Sequence, residues 1–368
     1  MKILHLADLH IGKKVHGFSM LKEQETILLE GVRKVIFENN IETVLIAGDI
    51  YDTPIPSGQA VSLFDEFLSM LSDMNLKTFI IPGNHDSAER ISFAGYILKK
   101  SGICIAKPIS HEIEDKTIEK YEAEDEYGKL NFYLLPYLHA EDALHLLNNT
   151  VIDESERNIL IAHQFVSKAG AENILSDSEV NSVGGIEEIS SGLFAGYDYV
   201  ALGHLHAPQK IGTENIRYAG SILKYSFSEA DHRKQFVILN VREKGNIEKE
   251  FLDIKPINDM RIIKGPIDRL LSKDIYELEN VNDYLWITLT DEEEVFDALG
   301  RLKEVYPNLL RLDFDNSRTR AMNESRIVNN IEKKSILELF EEFYENRTDT
   351  KLTDEEKEIV ITQIKAIR

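Results

Sequence analysis

Residues 2–10 read Lys2-Ile3-Leu4-His5-Leu6-Ala7-Asp8-Leu9-His10, a short apolar run that ends abruptly in a carboxylate and an imidazole. The same pattern returns four times. Val44 to Ala47 ends in Gly48-Asp49, Phe79 to Pro82 in Gly83-Asn84-His85-Asp86, Ile159 to Ala162 in His163, and Val200 to Leu202 in Gly203-His204-Leu205-His206. Short runs that are apolar throughout predict strands buried on both faces. Between the early ones, residues 23–38 and 57–74 carry apolar side chains at three- and four-residue spacing, which predicts helices. Strand, helix, strand repetition predicts an α/β fold, a layered sheet with helices outside.

A lone histidine at a strand end is usually a hydrogen-bonded structural residue, and a lone aspartate there is usually a helix cap. Five apolar strands that all end in Asp, Asn or His are a pattern that packing does not explain. In open α/β sheets ligands bind beyond the carboxyl ends of the strands, so these side chains are expected on one rim although far apart in sequence. Mixed imidazole, carboxylate and amide donors suit manganese, iron or zinc, and the set is large enough for two ions. Gly48, Gly83 and Gly203 each precede a candidate ligand and allow the backbone to come close. Two adjacent ions favour in-line displacement at phosphorus. A bridging carboxylate is then needed, and Asp49 is the candidate. His85, beside Asn84, is expected to face the substrate and stabilise charge or protonate a departing oxygen, with Asp86 orienting its ring.

At 368 residues the chain is long for one domain of roughly 100 to 200. Apolar residues at 43% and charged residues at 29% are ordinary for a soluble globular protein. No run approaches the roughly 18 apolar residues of a membrane span, and the first apolar residues are too few for a signal peptide, so a cytoplasmic protein is expected. The single cysteine, Cys104, lies in an apolar stretch and reads as a small buried hydrophobe. With 42 basic and 64 acidic residues the net charge is −22, which opposes nucleic-acid binding unless cations, a local basic lip or a partner supply the missing field. Lys13, Lys14, His16 and Arg90, just past candidate ligands, are the basic groups placed to meet phosphates.

Residues 111–130 are polar and acidic and read as a hairpin or excursion outside the core. Past residue 255 the pattern changes to a short helical stretch, a strand at 285–289, a helix from about 292 to 305 and a strand near 309–314, a small α+β domain. Two amphipathic segments follow, one with Ile336, Leu339, Phe340 and Phe343 on one face, the other with Ile359, Val360, Ile364 and Ile367. They predict either a helical hairpin on its own domain or a docking tail for a partner.

The set Asp8-x-His10, Gly48-Asp49, Gly83-Asn84-His85-Asp86, His163 and Gly203-His204-x-His206 resembles the calcineurin-like metallophosphoesterases. Three longer stretches resemble the SbcD nucleases within that class: Gly48 to Asp52, Gly83 to Ser87 with Glu89-Arg90, and Gly220-Ser221 with Tyr225 to Glu229. The resemblance implies a layered metallophosphoesterase β-sandwich flanked by helices over residues 1–255, a DNA-capping α+β domain over 256–320 and a helical partner-binding tail over 321–368. It implies one metal held by Asp8, His10, Asp49 and His206, and a second by Asp49, Asn84, His163 and His204, with His85 and Asp86 catalytic. It further implies manganese as the ion, an SbcC-type coiled-coil ATPase as partner, a homodimer, and cleavage of DNA ends and hairpins in repair and recombination. Two other readings compete with this one: a small-phosphodiester hydrolase with the same ligands, and a scaffold that retains the fold without catalysis.

Overall fold

The strands of two six-stranded sheets are, in chain order, β1 (Lys2–Leu6), β2 (Thr43–Ala47), β3 (Lys77–Ile81), β4 (Ile103–Ile105), β5 (Glu119–Asp125), β6 (Gly128–Leu135), β7 (Arg157–His163), β8 (Tyr199–Gly203), β9 (Gln209–Ile211), β10 (Thr213–Tyr218), β11 (Gln235–Val241) and β12 (Ile247–Asp253). The computed structural model describes residues 1–109, 116–168, 173–177 and 188–320, with single positions between 337 and 360 beyond them. The chain divides into two units, one of Met1–Ile262 with Asn282–Leu285 and the other of Ile263–Val281 with Trp286–Arg368.

The first sheet has the order β12-β11-β1-β2-β3-β4, and the second β9-β10-β8-β7-β6-β5. The centre of each is parallel: β1 with β2, β2 with β3, β6 with β7 and β7 with β8. Antiparallel strands are added toward the margins, as in β1 with β11 and β5 with β6. Period-two alternation sorts the faces. Leu130, Phe132 and Leu134 of β6 join Ile3, Leu45, Phe79, Ile159 and Val237 in one core shared by both sheets. Tyr133 and Leu135, in between, join a second core with Ala143 and Leu146 of the helix Ala140–Asn149. Phe79 and Phe132 stack across the two sheets with centroids 4.3 Å apart. Each such side chain, fully removed from water, contributes roughly 1.5–3 kcal/mol.

The first sheet's other strand faces are covered in sequence by helical segments. Leu21–Glu25, a π-helical turn Thr26–Val32 and Arg33–Asn39 run on continuously, and Gly58–Asp73 begins where Ser57 accepts the Ala60 amide. Of residues 111–130, those from 116 on are described and include the expected hairpin, β5 paired antiparallel with β6, but its second strand lies in the core rather than outside it. Gly128 opens β6, whose Leu130 to Leu135 are all buried, and only β5 is the polar sheet margin. The antiparallel pairing of β5 with β6 places alternate polar residues of β5 outward, so composition alone hides the core strand beside it.

Beyond residue 255, β13 (Met260–Gly265), β14 (Tyr284–Leu289) and β15 (Leu309–Phe314) form a three-stranded sheet in that order. The helix expected from 292 starts only at Ala298, because Asp297 accepts the Gly300 amide and caps it there. Of the two apolar stripes of the tail, only Phe340 and Val360 are among the described residues, and the rest lie outside them.

His5 sits inside the first core, its Nδ1 3.2 Å from the hydroxyl of Tyr199 on the opposite sheet. Burial holds this imidazole down to about 3, so it is neutral in the fold. The unfolded chain protonates it near 6.5, so its contribution is fully present above that pH and is lost as pH falls from 6.5 toward 3. His5→Phe should lose less stability than the native chain between about pH 7.5 and about pH 5, by roughly 2 kcal/mol in urea denaturation. Equal acid sensitivity would contradict this assignment.

Candidate metal centre

β1, β2, β3, β7 and β8 all end at one rim, and the chain just past each supplies the polar side chains. Beyond β1 the backbone stays beside that of β2: the amides of Asp8, His10 and Ile11 donate to the carbonyls of Gly48, Asp49 and Ile50 at 2.9–3.1 Å. On the second sheet, Gly203 and His163 are register partners. The sheets meet at this rim. A Cβ on Gly203 would lie 1.8 Å from the Ala47 carbonyl oxygen and 2.9 Å from His163 Nδ1. A Cβ on Gly83 would lie 2.2 Å from Asp49 Oδ1. Gly48, at φ +85°, both turns the chain and leaves room for the His163 ring, 2.1 Å from where its Cβ would be.

All the expected ligands converge. Asp49 Oδ2 lies 3.5 Å from His10 Nε2 and 3.5 Å from His163 Nε2, while Oδ1 accepts the His85 amide at 2.9 Å. His10 Nε2 and His206 Nε2 face each other at 3.0 Å. Asn84 Oδ1 is 2.9 Å from His163 Nε2 and 3.1 Å from His204 Nδ1. Donor atoms of Asp8, His10 and His206 fall within 4.8 Å of one another, as do those of Asp8, Asp49 and His163. Asp8, His10, Asp49, His163 and His206 are buried to 2% exposure or less. Asp8, His10, Asp49 and His204 all have φ between +44° and +108°, strained for side-chain-bearing residues and concentrated at this one place.

The electrostatics favour a cation. Burial lowers His10 to about 4 and His204 to about 3, and also lowers His206, so these rings are neutral donors at neutral pH. Burial would raise Asp49, yet His163, His10 and His85 outweigh it and hold the acid well below the usual carboxylate range. Burial likewise opposes charge on His163, but Asp49 wins and pushes it up to about 9. His163 Nδ1 is 2.8 Å from the Ala47 carbonyl, which fixes the N–H there and turns Nε2 to the site. The His10 and His206 nitrogens facing at 3.0 Å, with an Asp49 carboxylate oxygen between His10 and a third ring, His163, form a donor set that fits a divalent ion of the manganese, iron or zinc kind.

His85 is half-buried, its Nδ1 2.9 Å from the main-chain carbonyl of Asp52. That carbonyl orients the ring, a role expected of Asp86. Asp86 instead accepts the amides of Ile50, Tyr51 and Gly83 at 2.9–3.0 Å and locks the 83–86 turn to the chain after Asp49. An aspartate three residues after a turn glycine is well placed to close that turn on itself, and here its carboxylate also takes the two amides that follow Asp49. Lys13 pairs with Asp52 at 2.8 Å, and the His16 ring lies 5.5 Å from Phe227, while Lys14 and Arg90 are exposed. Cys104 is half-buried, and burial pushes its thiol up, away from reactivity.

Residues 1–208 match the sequence profile of the calcineurin-like phosphoesterases. The chain belongs to that family. Residues 256–348 match the SbcD_C profile, described as the type 5 capsule protein repressor C-terminal domain, which makes this calcineurin-like phosphoesterase one of SbcD type. Among solved structures, TT1561 of Thermus thermophilus is similar at 12% identity with a TM-score of 0.41, over 69% of this chain and 99% of that one. A second is similar at 14% with a TM-score of 0.38, over 68% and 98%. Likeness that distant adds nothing to the architecture described above. The phosphoesterase is metal-dependent by family. Among the described residues, no helix is long and apolar enough to cross a membrane.

Gly203→Ala tests the closure of the rim. Its methyl group has no space against Ala47, so the metal-free variant should lose about 1–3 kcal/mol in denaturant unfolding. Native-like stability would show that the sheets do not meet as described.

Proposed function

We propose that this chain is a two-metal DNA nuclease that works with an SbcC-type ATPase, cutting duplex ends as a 3'-5' exonuclease and single strands and hairpins as an endonuclease. Asp8, His10, Asp49 and His206 would hold one ion and Asp49, Asn84, His163 and His204 the other, with Mn2+ the expected metal. The observation that carries this reading is the position of Asp49 Oδ2, 3.5 Å from a ring of each set. When bound, two divalent ions supply charge neutralisation and Lewis acidity for in-line displacement at phosphorus.

The chain's own groups do the rest. With Nδ1–H donated to the Asp52 carbonyl, His85 presents Nε2 to the substrate and delivers a proton to the departing oxygen. Asp86 is a positioning residue: it fixes the turn that carries both Asn84 and His85. Residues 256–320 serve as a cap that selects DNA, and residues 321–368 as the segment that docks on the ATPase, within a homodimer in the cytoplasm. A chain with net charge −22 binds DNA weakly alone, so partner and ions supply the attraction.

Labelled duplex and hairpin DNA should be cut in Mn2+, and His85→Ala should lower the rate about 10^2- to 10^4-fold while bound metal is retained. Turnover of bis-p-nitrophenyl phosphate alone, even with the ATPase added, would reduce the chain to a small-diester hydrolase. An anisotropy titration at physiological salt should show weak duplex binding by the isolated chain, and tight binding would contradict the electrostatic argument.

A further inference from the structure

The stretch Gly220-Ser221 and Tyr225 to Glu229 contributes none of the candidate ligands, and its side chains run behind the metal centre. Glu229 is fully buried. Its Oε1 lies 3.4 Å from His206 Nδ1 and accepts Ser226 Oγ at 3.1 Å, and its Oε2 accepts Lys234 Nζ at 2.7 Å. The same ammonium donates to the His206 carbonyl and to Ser221 Oγ, both at 2.7 Å. Tyr225 donates its hydroxyl to the Leu9 carbonyl and accepts from Gln24 Nε2 at 3.0 Å, and its ring stands 5.5 Å from His10 and 5.9 Å from His206. Gln24 also donates to the His10 carbonyl at 2.7 Å and accepts the Gly12 amide at 2.9 Å.

All of these contacts converge on His10 and His206. Behind His163 stands a main-chain carbonyl, and beside His204 the rings of Tyr137 and Phe165. A carboxylate on the outer nitrogen of a ligating imidazole fixes its tautomer and raises its basicity, and removing such a group typically costs 10- to 100-fold in metal affinity. Lys234 neutralises the buried charge that Glu229 would otherwise leave in the core.

We propose that Glu229, with Lys234, Tyr225 and Gln24, is a built support for the metal position of Asp8, His10 and His206, a buried carboxylate where His163 has a main-chain carbonyl, and makes the two positions differ in affinity. Glu229 and Tyr225 are positioning residues, acting through His206 and through the chain that carries His10. The inference rests on the two-metal reading.

The test is calorimetric titration of the full chain with Mn2+, with thermal unfolding of the metal-free proteins alongside. The native chain should show two resolved steps. Glu229→Gln should weaken one step about 10- to 100-fold and leave the other within about twofold, with Glu229→Asp recovering part of the loss. Tyr225→Phe should weaken the same step by less, and it decides the matter by the same criterion if Glu229→Gln does not fold. Equal weakening of both steps, or no change in either, overturns this inference alone. A native chain that takes up no Mn2+ overturns the two-metal reading and this inference with it.

Discussion

The contact between the Ala47 carbonyl and Gly203 fixes how close the two sheets come at their common rim, and the rest of the site depends on that distance. Only a residue without a side chain admits the approach, since a Cβ there would stand 1.8 Å from the oxygen. The same carbonyl receives His163 Nδ1 at 2.8 Å, so one backbone atom both sets the spacing of the sandwich and aims an imidazole. With the sheets held at this spacing, Asp49 from the first reaches His163 from the second, and Asn84 reaches His163 and His204.

Such a rim is costly. Four of its side chains sit at positive φ, and buried histidines stand nitrogen to nitrogen. Strain of order 1–3 kcal/mol per residue persists only where the surroundings over-determine the geometry. Here the surroundings are the shared apolar core beneath, the amide clamp of Asp86 and the Gln24 and Tyr225 contacts to the chain after β1. A bound cation would turn the unfavourable convergence of lone pairs into coordination, which links metal loading to the stability of the rim.

The five strands and the polar side chains that follow them were legible because parallel strands buried on both faces leave no alternation to misread, and because Asp, Asn and His have no packing reason to follow each of them. A carboxylate between the two sets was expected as a chemical need, and Asp49 Oδ2 lies 3.5 Å from both His10 and His163. What stayed hidden depends on partners far away in sequence. Glu229 and Gln24 look like ordinary helix or loop polar residues until His206 and the His10 carbonyl are placed beside them. β6 was obscured by its polar neighbour, and β13, Met260–Gly265, by its brevity and by Arg261 and Lys264 flanking only two adjacent isoleucines. Asp86 differs from expectation because adjacency to His85 suggests a side-chain contact, whereas the amide of Gly83 and, from far away in sequence, those of Ile50 and Tyr51 claim the carboxylate.

The most direct test of the account is anomalous diffraction from crystals of this chain soaked in Mn2+. Two peaks are predicted, one among Asp8, His10, Asp49 and His206 and one among Asp49, Asn84, His163 and His204, with Asp49 common to both. Manganese absent from this rim, or confined to a single position that leaves Asp49 unshared, would contradict the two-metal centre on which the functional reading stands.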